Sequence, residues 1–135
     1  MVRDVHHLGV AVGGLDEAIA LWSDLFGATL EHRETVPEQG VEAASLRVGE
    51  SRVELLAPLD ADTPVGRFLE RRGPGMHHVA FRVDDVAAEL DRLRASGVRL
   101  IDEEPRRGLF GLQVAFVHPE ATGGVLAEFV GDEHS

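Results

Sequence analysis

Four residues of this chain have the types and spacing for metal chemistry: His7, Glu54, His78 and Glu128. Glu54 follows His7 by 47 residues and Glu128 follows His78 by 50, so a histidine and a glutamate recur as a pair at nearly equal intervals. Imidazole nitrogen and carboxylate oxygen together suit a divalent ion such as Zn, Co, Mn, Ni or Fe(II). The chain has no cysteine, which removes thiolate ligands, thiolate nucleophiles and disulfides together. It also lacks lysine and tyrosine, excluding Schiff-base chemistry and tyrosine general acids. A metal here must be held by imidazole and carboxylate.

The elements that position these residues come in two copies. Laid from His7 the chain reads HLGVAVGGLDEAIALWSDLFGATL, and laid from His78 it reads HVAFRVDDVAAELDRLRASGVRL. Self-similarity of this length decides architecture before any single motif does. In each copy a strand alternates: Leu8, Val10 and Val12, or Val79, Phe81 and Val83, form an apolar face. His7, Gly9 and Ala11, or His78, Ala80 and Arg82, form the other. Amphipathic helices follow over 16–26 and 85–96, with acidic starts and Gly27 or Gly97 at the C-terminal glycine position. Short β-rich runs come next, at 29–36, 41–48 and 52–58, then at 98–103, 112–118 and 124–130. In the last run of each half, Glu54 and Glu128 sit between apolar neighbours, and a period of two turns them to the histidine side.

The expectation is an α+β fold. Two βαβββ repeats, about 5–58 and 76–130, form an open, mostly antiparallel, eight-stranded barrel-like sheet with helices outside and the histidines on the concave face. A connecting helix fits 63–72, capped by Thr63 with Pro64 in its first turn. At 135 residues one domain, 1–135, is the prior. A formal net charge of −11 argues against a nucleic-acid partner. There is no signal-like N-terminal segment and no apolar run of the roughly 20 residues that span a bilayer, so a soluble, cytoplasmic protein is expected.

His6 and His77, one residue before each paired histidine, face the other way by strand parity and read as structural. His32, His118 and His134 have no counterpart in the repeat. His118 precedes Pro119 and ends a strand, while His134 lies in the acidic tail.

The doubled HH starts, VELLAP, PEQG (37–40), GMHH (75–78), EEP (103–105), FVHP (116–119) and GGVLAEF (123–129) resemble the methylmalonyl-CoA epimerases of the vicinal oxygen chelate superfamily. The resemblance runs from Val5 to about Val130. It implies one divalent metal (Co, Zn, Mn, Ni or Mg) on His7, Glu54, His78 and Glu128, an acyl-CoA thioester substrate, and inversion of C2 of methylmalonyl-CoA or a related 2-substituted malonyl-CoA through an enolate. Two-base members of the family carry a second glutamate three residues after the PEQG glycine, where this chain has Ala43. Glu42 is adjacent, but parity turns it away unless a bulge re-aims it. Glu128 is therefore expected as the indispensable base and ligand, with Glu42 at best an assistant.

Arg106 and Arg107, in EEPRRGLFG, are expected to meet CoA, since arginine offers phosphate a forked donor. A homodimer is expected because strand edges and apolar helix surface need cover. The nearest rival is a glyoxalase-type lyase or isomerase, which shares the four ligands. An extradiol dioxygenase fits less well, having no tyrosine here and a fourth ligand filling a position. A metal-free binding or resistance protein on the same fold would usually lose the ligand residues.

Overall fold

The computed structural model describes residues 1–131, so His134 lies outside the described residues. The elements run β1 (Asp4–Ala11), α1 (Leu15–Phe26), β2 (Thr29–Val36), β3 (Val41–Val48), β4 (Ser51–Pro58), α2 (Pro64–Arg72), β5 (Gly75–Val83), α3 (Val86–Ala95), β6 (Arg106–Arg107), β7 (Gln113–Val117) and β8 (Ala127–Gly131). The chain is α+β with eight strands in two βαβββ copies, as the repeat predicts. It divides into two compact units, one of residues 7–77 and one of 1–6 with 78–131.

In the unit of 7–77 the strand order is β2-β3-β4-β1. β2/β3 and β3/β4 are antiparallel, while β4/β1 is parallel. Val10 and Val12 of β1, Ala44 and Leu46 of β3, and Leu55 and Ala57 of β4 pack with Leu15 and Ala18 of α1. Leu46 and Leu55 are fully buried, each contributing about 1.5–3 kcal/mol by transfer from water. α1 ends at Gly27, whose left-handed φ of 69° closes the helix on the Ser23 carbonyl. The PEQG motif is a short 3-10 turn over Pro37–Gln39 closed by Gly40 at φ 69°. A Cβ on Gly40 would lie 2.6 Å from Thr63 Cγ2, so this position also needs glycine for space. Thr63 caps α2 as expected, its hydroxyl accepting from Gly66 N–H at 3.0 Å.

The other unit repeats the pattern with strand order β5-β8-β7-β6: β5/β8 parallel, β8/β7 and β7/β6 antiparallel. Val83, Ala115, Val117 and Phe129 pack with Val86 and Leu90 of α3, which Asp85 caps through Ala88 N–H. Residues 1–6 join this unit. The N-terminal ammonium meets Glu89 at 2.7 Å, Arg3 meets Asp84 at 2.8 Å, and Asp4 pairs with Arg82.

Two expected strands are corrected. The run 98–103 forms only an isolated bridge, Leu100 to Val117. Asp102 Oδ2 accepts the Phe116 N–H at 2.8 Å, so a side chain takes the donor that a ladder would use, and Pro105 next offers no N–H. Pairing resumes only at Arg106 and Arg107. The run 124–130 becomes a strand from Ala127, because the Thr122 hydroxyl accepts from Val125 N–H at 3.0 Å and holds the preceding residues in a turn.

Candidate metal centre

Within the unit of 7–77, the apolar positions of β1 and β4 are spent on α1, so His7 and Glu54 take the opposite face. β1 and β4 are parallel neighbours with Gly9 opposite Glu54. His7 Nδ1 lies 3.2 Å from Glu54 Oε2, and the two side chains are only 4% and 8% exposed. Directly across the β3/β4 ladder from Glu54 is Ser45, fully buried. Its hydroxyl donates to Glu31 Oε1 at 3.5 Å. Glu31 also accepts from Arg52 Nε at 2.6 Å and Arg47 Nε at 3.2 Å. The Arg52 hydrogen bond, above all, holds the Glu31 carboxyl below its ordinary value.

In the other unit β5 and β8 spend Val83 and Phe129 on the α3 side, leaving His78 and Glu128 on the opposite face. His78 Nε2 lies 3.4 Å from Glu128 Oε1, both side chains 4% exposed. Phe116, opposite Glu128 on β7, sets its ring edge-to-face with His78 at 5.4 Å and 88°. Ala80, Val114, Val130 and Leu112 form an apolar cluster on this side. Arg106 stands over the Phe116 ring at 5.8 Å, its Nε 3.4 Å from Asp102 Oδ2.

Each unit thus buries one imidazole against one carboxylate. Buried carboxylates need a proton or a cation to offset lost hydration, and a set of nitrogen and oxygen donors fits a borderline divalent ion. The residues present fit the metal that the resemblance implies.

Glu42 is not brought to the His7–Glu54 pair. It shares the parity of Ala44 and Leu46, so it lies on the α1 side, where Arg33 Nη2 and Nε approach its oxygens at 3.3 and 3.4 Å. Arg33 also donates to Asp16 of α1 at 2.6 Å. The β3/β4 register runs unbroken from Val41 to Val48, so no bulge re-aims Glu42, and Ala43 takes the face of Glu54. Arg106 and Arg107 separate as well. Arg106 pairs with Val114 on the His78 side, whereas Arg107 pairs with Gln113 on the other. A Cβ on Gly111 would lie 3.4 Å from Arg107 Nη2, so this guanidinium lies beside the loop at Gly111.

Among the remaining histidines, His77 packs edge-to-face on Phe68 of α2 at 5.1 Å, and His118 Nδ1 accepts from Glu120 N–H at 3.1 Å. His32 sits 3.1 Å from Glu34. Reasoning from the sequence missed Ser45, Glu31, Phe116 and Asp102. The first and third are the cross-strand neighbours of the two repeat glutamates, a relation that appears only when the strands pair.

A family model described as the Glyoxalase/Bleomycin resistance protein/Dioxygenase superfamily matches residues 6–116. The mitochondrial methylmalonyl-CoA epimerase of Homo sapiens is 35% identical over 125 residues, covering 92% of this chain and 71% of that protein. The crystal structure of methylmalonyl-CoA epimerase from Mycobacterium tuberculosis is 42% identical with a TM-score of 0.93, over 96% of this chain and 88% of that one. A methylmalonyl-CoA epimerase solved in complex with methylmalonyl-CoA and NH4+ is 36% identical with a TM-score of 0.95, over 98% and 96%.

Proposed function

Since the chain belongs to the methylmalonyl-CoA epimerase family of the glyoxalase/bleomycin resistance protein/dioxygenase superfamily, we propose that it inverts C2 of methylmalonyl-CoA, or of a related 2-substituted malonyl-CoA, through an enolate. The observation that carries this reading is the recurrence of a buried histidine–glutamate pair at the same place in both repeats. His7, Glu54, His78 and Glu128 would together hold one divalent ion, with Co, Zn, Mn, Ni and Mg as candidates. The chemistry such an ion would supply when bound is stabilisation of the negative charge that develops on the thioester oxygen as C2 loses its proton.

Glu128 removes the C2 proton from one face of the substrate, and inversion requires a proton delivered to the opposite face of the enolate by a second acid. A carboxylate can give one oxygen to a ligand role and keep the other for the proton, which an imidazole facing the same site cannot do. Glu42, paired with Arg33 on the α1 side, is assigned no direct part in the transfer. Arg106 and Arg107 supply positive charge for an anionic thioester in a chain that is otherwise acidic. Leu21, Leu25 and Phe26 leave apolar surface exposed on α1, which supports a homodimer. Sedimentation at micromolar concentration should give the mass of two chains, and a single-chain mass would refute the dimer. Among the described residues no helix is long and apolar enough to cross a membrane. We read the protein as cytoplasmic.

The deciding experiment is deuterium exchange at C2 of methylmalonyl-CoA in D2O, with Co, Mn, Zn, Ni or Mg added to metal-stripped protein. At least one metal should support rapid exchange and a chelator should abolish it. Protein that binds metal yet exchanges no proton with any of them would sink the reading.

A further inference from the structure

Resting on the epimerase reading, we infer that Arg106 is a specificity-determining residue that receives the free carboxylate of the malonyl thioester, leaving Arg107 for the phosphates of CoA. The two arginines are adjacent in sequence, but β6 turns them to opposite faces. Arg106 shares the face of Val114, Ala80 and Val130, on which His78 and Glu128 also lie. Its guanidinium stands over Phe116, whose ring edge meets His78, so one aromatic ring separates this cation from the histidine.

Asp102 stands behind the guanidinium as its ion-pair partner. Its Oδ2 is tied to the Phe116 N–H and faces Arg106 Nε, which is buried. Among the described residues that is the only polar partner of the Arg106 side chain, which is 37% exposed. The Nη edge is left for a ligand, and a guanidinium offers a planar carboxylate two parallel hydrogen bonds.

Reach selects the carboxylate over the phosphates. A malonyl carboxylate is one carbon from C2, the atom that Glu128 must touch, whereas the pyrophosphate of CoA is removed from the thioester by the whole pantetheine arm. A cation one ring from His78 is therefore placed for the acyl end. Arg107, exposed on the opposite face and beside Gly111, is placed for the distant phosphates. Discrimination between a malonyl and a neutral acyl thioester would then rest on Arg106 in addition to the metal.

The test is calorimetric binding of methylmalonyl-CoA and propionyl-CoA to metal-loaded wild type, Arg106→Gln and Arg107→Gln. The two thioesters share CoA and differ in the free carboxylate. Arg106→Gln should weaken methylmalonyl-CoA by about tenfold or more and leave propionyl-CoA unchanged. Arg107→Gln should weaken both by a similar factor. Equal weakening of both ligands by Arg106→Gln, or no weakening of either, overturns the assignment. If Arg106→Gln does not fold, Arg106→Lys retains the charge without the fork, and it should lose part of the preference for methylmalonyl-CoA. Full preference in the lysine variant also counts against a forked carboxylate contact. Wild type that binds propionyl-CoA and methylmalonyl-CoA equally, and exchanges no C2 proton, removes the epimerase reading itself.

Discussion

In the first repeat the glutamate of the pair faces a buried serine across the ladder, and beyond it a carboxylate clamped by Arg47 and Arg52. In the second, the same place beside the glutamate holds Phe116, with an apolar cluster of Val114, Val130 and Ala80 on the same face and one arginine over the ring. The repeat has kept its donors and changed their neighbours. Shared strand geometry dictates where an imidazole and a carboxylate can meet, so the pair persists. The adjoining positions are free to specialise, one half toward charge and hydrogen bonding, the other toward exclusion of water around Glu128. Two similar carboxylates can thereby take different roles, as environment sets what each can do.

The largest expected difference lies between the glutamates. Glu128→Gln should lower C2 exchange by a factor of about 100 or more, the usual contribution of a general base, while retained metal shows that the site survives. Glu54→Gln should keep most of the exchange, because a glutamine oxygen can still serve as a ligand. Equal losses in the two variants would erase the asymmetry. For the histidines, His78→Ala should cost metal affinity far more than His77→Ala, whose ring packs on Phe68; competition with a chelating dye reads both.

Stability should separate the two neighbours next. Phe116→Ala empties a well-packed position, 9% exposed, and should cost about 3–5 kcal/mol in denaturant unfolding. Ser45→Ala removes one long hydrogen bond and should cost about 1 kcal/mol. A serine variant as damaging as the phenylalanine one would show that the polar half is the structurally dependent one.

The smallest effect concerns acid. The Glu31 carboxyl is held below its ordinary value of 4.5 by Arg52 and Arg47. A group with a lowered folded value stabilises fully above the unfolded value and loses that contribution as pH falls through the folded value. Wild type should therefore lose stability below about pH 4.5 more steeply than Glu31→Gln. The difference should be about 1 kcal/mol or less, since the clamp is partly exposed. Parallel pH profiles for the two proteins would remove Glu31 as an acid-sensitive contact.

The sequence by itself determined what depends on local period and on repetition. Alternation along four strands gave His7, Glu54, His78 and Glu128 their common side, and the helix ends were readable at Gly27, Thr63 and Asp85 because capping is satisfied by nearby backbone. The turning of Glu42 away from Glu54 also followed from parity. Tertiary structure alone decided what crosses between strands. Which residue stands beside each glutamate, Ser45 or Phe116, is set by ladder register, and register is fixed only when neighbouring strands pair. The same holds for Asp102 taking the Phe116 N–H in place of a strand at 98–103. It holds for Arg33 binding Glu42 and for the first six residues joining the second unit through Glu89, Arg82 and Asp84. Two adjacent arginines looked alike in the sequence; a strand of two residues gave them opposite faces, since only pairing with β7 fixes which way a short segment turns.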